Sequence, residues 1–176
     1  MLDLGCGTGL VGAAIAPLAR TLVGVDLSHG MLAKARTGGR YARFEQSDLH
    51  AMMQRERSAS YDVVTAADVF VYVGKLDDIV REAARLLRPE GLFAFSVESL
   101  DALTRGAGAA DGQQGFRLNP TGRYAHSSAC LRRLAADHAF RILEAKDTRG
   151  RIDQGKPVGA CLTLRRRSGA PAPTPT

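Results

Sequence analysis

Three cysteines, few aromatic residues and no long apolar run set the first limits on this 176-residue chain. Cys6, Cys130 and Cys161 make no disulfide framework, which points away from the small stapled secreted class and toward a reducing, cytoplasmic setting. No apolar stretch approaches the ~18 residues of a membrane span, and Met1 begins a strand-like segment rather than a signal peptide. Membrane association is therefore not expected. Aromatics are 6% of the chain, and few of them stand between basic residues. The charge is uneven, −1 over residues 1–100 and +7 over residues 101–176. Such asymmetry suits nucleic acid or an acidic substrate. The basic residues are scattered, however, apart from Arg165, Arg166 and Arg167, so a solvated surface is the expectation and a nucleic-acid partner is not. What is present, 45% apolar and 24% charged residues, is ordinary for one globular domain with a single core.

The first ten residues organise the rest. Met1, Leu2 and Leu4 read as a buried strand with Asp3 among them. Gly5, Gly7 and Gly9 then turn the chain, and residues 11–18 read as the following helix. Glycine allows positive φ and lets a ligand lie against bare peptide groups. The apolar run 21–25 ends in Asp26, which stands 21 residues after Gly5. That is close to the ~20-residue offset at which a carboxylate meets a ribose. A solvated Asp opening a helix with Ser28 is the plainer alternative. The dinucleotide pattern Gly-x-Gly-x-x-Gly would need a third glycine where Leu10 stands.

An acidic residue followed by Gly-x-Gly-x-Gly resembles the first motif of the class I S-adenosylmethionine-dependent methyltransferases, and Leu-Asp-Leu-Gly-Cys-Gly-Thr-Gly matches it closely. The resemblance runs from Met1 to about Arg167. It is nearest to the small-molecule type and to the methyltransferase domains attached to tetratricopeptide repeats, which implies a possible upstream repeat domain. It implies an α/β, Rossmann-like fold: a mostly parallel seven-stranded sheet, helices on both faces and a terminal antiparallel strand pair. S-adenosyl-L-methionine is the implied cofactor. Asp3, Gly5, Cys6, Gly7 and Gly9 would hold its methionine end, Asp26 its ribose, and Asp48 with Leu49 its adenine, with Leu27, Met31 and Ala66 also carried over as cofactor neighbours. Family members carry helices before the first strand, so the chain reads as truncated at its N-terminus.

Further along, Ser28 suits the cap of a helix with Met31, Leu32 and Ala35 inward. A third strand is expected near Tyr41 to Glu45, and Asp48 either receives adenine or caps the helix of residues 49–57. Residues 61–68 read as a strand buried on both faces. Asp68, Val69, Phe70 and Tyr72 at its end become substrate-side candidates, with Val69 and Phe70 alternatively core. Leu76, Ile79, Val80, Ala83 and Leu87 mark one helix face, Pro89 to Gly91 stops it, and residues 92–97 form the fifth strand. Residues 106–115 are a glycine-rich loop on the ligand side. Residues 140–146 and 158–164 read as the final strand pair joined by 149–155. Domain residues 1–167 and a disordered tail 168–176 complete the organisation.

The expected activity is methyl transfer to an unidentified small-molecule acceptor, with no metal. Catalysis then rests chiefly on orientation. Tyr124 and His126 share one side of an extended segment, so they are candidates for a proton acceptor, against the blander reading that His126 bonds the loop. Cys6 suits small-residue packing better than a nucleophile. The alternatives are a binding domain of the same fold without turnover, and an NAD(P)-dependent oxidoreductase. Leu10 and the lack of a Tyr-x-x-x-Lys pair argue against the latter.

Overall fold

The computed structural model describes residues 1–103, 115–153 and 156–168. Strand β1 (Leu2–Leu4) is buried along its whole length, and β2 (Val23–Asp26) and β4 (Tyr61–Ala66) flank it in parallel. Their apolar runs follow from a sheet covered on both faces. The edge strand β3 (Arg43–Gln46) is half-solvated and bears Arg43 and Glu45, which suits an outer position.

Helix α1 (Leu10–Ile15) follows the glycine turn and tightens into a 3-10 turn at Ala16–Leu18, where Pro17 ends regular helix. Ser28 accepts the Met31 N–H (3.3 Å) and starts α2 (His29–Thr37). Asp48 accepts the Ala51 N–H (3.0 Å) and starts α3 (Leu49–Arg55). Side-chain oxygens at these caps take up backbone donors that a helix leaves open.

Helix α4 (Asp77–Leu86) ends before Leu87, which was expected on its face, and β5 (Leu87–Ser99) is longer than residues 92–97. Leu87 already pairs with Tyr61, and residues 88–91 bulge before pairing resumes at Val63 and Leu92. Thus Pro89 to Gly91 interrupts the strand rather than separating it from the helix. Glu82 and Arg85 lie buried within the apolar face of α4 and pair at 2.7 Å. Arg85 also donates to the carbonyls of Met53 (2.7 Å) and Glu56 (2.9 Å) at the end of α3. A buried ion pair is tolerated when its remaining donors are satisfied in this way.

After β5 come α5 (Leu100–Leu103), β6 (Phe116–Leu118), β7 (Tyr124–His126), α6 (Ser128–Asp137), β8 (Phe140–Asp153) and β9 (Lys156–Arg166). The parallel order is β3-β2-β1-β4-β5, with β9 antiparallel on the other edge of β5 and β8 outside it. These are the seven expected strands, including the terminal antiparallel pair. The β6–β7 hairpin adds two. Glu98 pairs with Gly159 of β9 and with Ala125 of β7, so β7 occupies the edge that β4 leaves vacant after Ala66. The last two strands also run longer than expected, because Ile152 and Asp153 pair with Pro157 and Lys156. Most of the glycine-rich loop, residues 106–114, lies outside the described residues. Of the segment read as a tail, Ser168 is hydrogen-bonded to Glu90 (2.5 Å between hydroxyl and Oε1), and 169–176 lie outside the described residues.

Phe70, Phe93, Phe95 and Phe140 stack through the core, with neighbouring centroids 4.8 Å apart for Phe93 and Phe95. Among the described residues no helix is long and apolar enough to cross a membrane.

Candidate functional site

Strand order turns outward from β1 to β3 and returns at β4, so the C-terminal ends of β1 and β4 border a crevice. The glycine turn lies there. Gly5 has φ +63, and a Cβ on it would fall 2.4 Å from Val69 Cγ2. The turn and the segment just past β4 therefore pack directly against each other, which brings the first expected site region beside the second. Gly7 has φ +53 and a Cβ on it would meet nothing within 4 Å, leaving bare backbone beside open space.

Asp26 closes the turn from the side. Its Oδ2 accepts the Gly7 N–H at 2.9 Å and its Oδ1 the Ser28 N–H at 2.8 Å. Two of the carboxylate's roughly four lone-pair directions remain for a ligand. Asp48 stands one strand further out; Oδ1 is committed to the α3 cap. Leu27 (66% exposed) and Met31 (42%) present apolar surface beside Asp26, while Leu49 is half-buried against the core. Bare peptide, two carboxylates and exposed apolar side chains make a shelf suited to an amino-acid-bearing nucleoside.

Three residues of the expected cofactor set are buried beneath that shelf. Asp3 is 1% exposed, and its carboxylate accepts the hydroxyls of Tyr41 (2.6 Å) and Thr65 (3.0 Å). Burial pushes the Asp3 pKa up, and the two hydroxyl donors oppose the rise. The Tyr41 ring fits because Gly12 and Gly24 carry no side chain; a Cβ on either would lie within 3 Å of it. Cys6 is also buried, and desolvation pushes its thiol up to about 12. Such a thiol stays protonated and packs, as the small-residue reading required. Ala66 is wholly buried and paired with Phe95.

On the other side of the crevice, Asp68 and Tyr72 are exposed (67% for the Asp68 side chain, 62% for Tyr72). Asp68 has φ +56, a left-handed backbone that Asp tolerates better than most residues, and its N–H donates to Ser96 Oγ at 2.8 Å. Phe70 is corrected to core: it is fully buried, 5.3 Å from the Phe95 ring centroid. Val69 serves as packing against Gly5.

A residue that the sequence did not single out joins the two exposed candidates. Arg123, beside the Asn119–Gly122 turn of the β6–β7 hairpin, lies 3.4 Å from Asp68 Oδ1 and 3.7 Å from Glu98 Oε1. It donates to the Tyr72 hydroxyl at 3.0 Å and stands over the Tyr72 ring at 5.3 Å. Asn-Pro-x-Gly is a turn signature, so the hairpin was detectable. The partners of Arg123, 51 and 55 residues away, were not.

Tyr124 and His126 do share a face, both against Phe116 (centroids 5.9 and 6.2 Å). His126, however, is 2% exposed, with Nε2 3.0 Å from the Gly74 carbonyl. A carbonyl only accepts, so Nε2 carries the ring proton, and Nδ1 is buried without a partner among the described residues. Burial pushes the His126 pKa below its ordinary 6.5. Behind this ring a cavity of ≈ 210 Å³ separates α6 from β5, β8 and β9, with Asp101, Arg132 and Lys146 among its lining residues.

Comparison with known proteins agrees with this geometry. The family described as "Methyltransferase domain" matches residues 2–95. Malonyl-acyl-carrier-protein O-methyltransferase of Enterobacter lignolyticus is 33% identical over 103 residues, 58% of this chain and 40% of that protein. The chain thus spans well under half the length of this and other curated relatives that it matches. An S-adenosylmethionine-dependent methyltransferase from Mesorhizobium loti superposes with TM-score 0.71 at 22% identity, covering 94% of this chain and 89% of the other. Magnesium protoporphyrin IX methyltransferase from Synechocystis, solved with bound S-adenosylmethionine, superposes with TM-score 0.67 at 19% identity, covering 94% and 68%. With its glycine turn, its switch-point crevice and its sheet order, the chain belongs to the methyltransferase-domain family and has the S-adenosylmethionine-binding fold of the class I enzymes.

Proposed function

We propose that this domain transfers a methyl group from S-adenosylmethionine to an oxygen of a small-molecule acceptor. The observation that carries the reading is the contact between the Gly5–Gly9 turn, steadied by Asp26, and the tip of β4 bearing Asp68. It sets a cofactor shelf and an exposed polar mouth on opposite lips of one crevice. The oxygen is supported by the matched relative, whose name is that of an O-methyltransferase.

The cofactor supplies an activated sulfonium methyl, so the chain's own task is chiefly orientation, which is worth roughly 7–11 kcal/mol when near-attack geometry is held. In this reading the backbone at Gly5 and Gly7 holds the methionine end, the free lone pairs of Asp26 hold the ribose, and Asp48 with Leu27, Met31 and Leu49 borders the adenine. Asp3 acts from below, fixing the turn through Tyr41 and Thr65. Asp68 accepts the hydrogen bond of an acceptor hydroxyl and Tyr72 covers it. Tyr124 keeps its place on the acceptor side, whereas the buried ring of His126 favours scaffolding: it holds the Gly74 carbonyl, two residues past the Phe70–Tyr72 turn.

Incubation with methyl-labelled S-adenosylmethionine and a panel of alcohols, phenols and carboxylic acids tests the proposal. Label should move to at least one panel member, and Asp68→Asn should slow that transfer while leaving S-adenosylhomocysteine binding intact. Tight S-adenosylhomocysteine binding with no transfer to any acceptor would favour a binding domain instead.

A further inference from the structure

The far end of the sheet carries a concentration of charge that methyl transfer does not use. Arg141 of β8 and Arg165 of β9 are directly opposed cross-strand partners, an arrangement in which like charges repel. Both face a cavity of ≈ 310 Å³ whose lining also includes Arg166, Arg167, Glu90 and Ser168. Arg166 is buried, and its guanidinium is taken up by the Leu87 carbonyl (2.6 Å). Glu90 is the one acid among these residues. Its Oε2 lies 3.7 Å from Arg165 Nη1, and its Oε1 already accepts the N–H (3.1 Å) and hydroxyl (2.5 Å) of Ser168. One carboxylate therefore stands among four arginine residues, three of them with guanidinium groups not committed to the Leu87 carbonyl. The Arg165 Nε is buried with no partner among the described residues, a donor whose lost hydration the protein does not replace.

We infer that this cavity is an anion site for a phosphate-bearing small molecule. Guanidinium forks match phosphate oxygens in pairs, and several arginines together suit more than one anionic oxygen. The volume falls at the lower end of small-ligand pockets, roughly 300–1,000 Å³. A nucleic acid would call for a basic track with exposed stacking aromatics; these charges converge on one cavity whose lining holds no aromatic side chain. Leu92 of β5 pairs with Arg165, whereas Glu98 of the same strand pairs with Ala125 beside the acceptor mouth. Six residues of strand separate the two, on the order of 20 Å. A ligand here leaves the cofactor shelf free.

Pyrophosphate is the probe. Calorimetric titration of the full chain at constant ionic strength should show one-to-one binding. Arg141→Ser combined with Arg165→Ser should weaken it about tenfold or more, with S-adenosylhomocysteine affinity unchanged. Glu90→Gln removes the repelling acid and should tighten pyrophosphate binding a few-fold. If the double variant also loses S-adenosylhomocysteine, its fold has failed and Glu90→Gln decides. No pyrophosphate heat, an affinity indifferent to the substitutions, or binding of a single-stranded RNA oligonucleotide alone overturns the inference.

Discussion

The two lips of the crevice are built by different means. On the cofactor side, each residue stands at or just past the end of one of three consecutive parallel strands: the turn after β1, Asp26 on β2, Asp48 after β3. On the proposed acceptor side, Asp68, Tyr72, Glu98 and Arg123 come from the segment just past β4, a 3-10 turn, β5 and a hairpin. They meet only because β7 occupies the edge of β5 that β4 gives up. A site read from strand ends is set by spacing along the chain; a site made by a hairpin folded across a sheet is set by the packing of distant segments. The first lip is accordingly regular, and the second holds the left-handed Asp68 and the long ion pairs of Arg123.

The comparison is broken most severely at Asp26. Asp26→Ala removes two hydrogen bonds to a carboxylate, each worth roughly 1.5–3 kcal/mol, as well as the proposed ribose partner, so S-adenosylhomocysteine affinity should fall by about 10²-fold or more. Calorimetry measures it; unchanged affinity would reduce Asp26 to a loop cap.

Next in size is the layer beneath the shelf. Tyr41→Phe leaves the buried Asp3 carboxyl with Thr65 as its one hydroxyl donor, and should cost about 1.5–3 kcal/mol in a urea titration. An equal loss on Thr65→Val would show that the two hydroxyls share the task.

A smaller effect is expected across the crevice. Arg123→Met breaks a pair with the exposed Asp68 at 3.4 Å and a longer one with the buried Glu98 at 3.7 Å, so the loss of stability should be about 1–2 kcal/mol. Hydrogen exchange in β6 and β7 should nevertheless speed up while S-adenosylhomocysteine affinity holds. Loss of cofactor affinity here would mean that the two lips are one mechanical unit.

The smallest change concerns pH. The folded His126 pKa lies below its ordinary 6.5, so between those two values the unfolded chain binds the proton and the folded chain does not. Stability from this group is complete above about 6.5 and is lost as pH falls through the window. Asp3 has the opposite sign: its raised pKa makes stability fall as pH rises from the ordinary 3.8 toward the folded value. His126→Gln should flatten the loss of stability below pH ~6.5; an unaltered slope would place the proton elsewhere.

Local rules made most of the frame legible. The glycine turn, the Ser28 and Asp48 caps, the apolar run of β4 and the periodicity of α4 each depend on residues within a few positions, and these stood near where they were expected. Burial was less readable where polar residues carry it. Glu82 and Arg85 have the sequence of a solvated helix face, and only the carbonyls of Met53 and Glu56 explain why they lie inside. Asp3 is similar, since nothing near it in the chain announces the Tyr41 ring. His126 suited either a base or a loop contact by residue type; its burial depends on a segment 52 residues away.

The sequence by itself determined the alternation of the first five strands with their helices, the turn at Gly5 to Gly9 and the offset to Asp26, because backbone sterics, capping and hydrophobic period act over short distances. Only the tertiary structure decided that Asp3 and His126 are enclosed, that Arg123 reaches Asp68 and Tyr72, and that Arg141 confronts Arg165. Those facts depend on which strands become neighbours and in what register, and a side chain's environment is fixed by its neighbours in space.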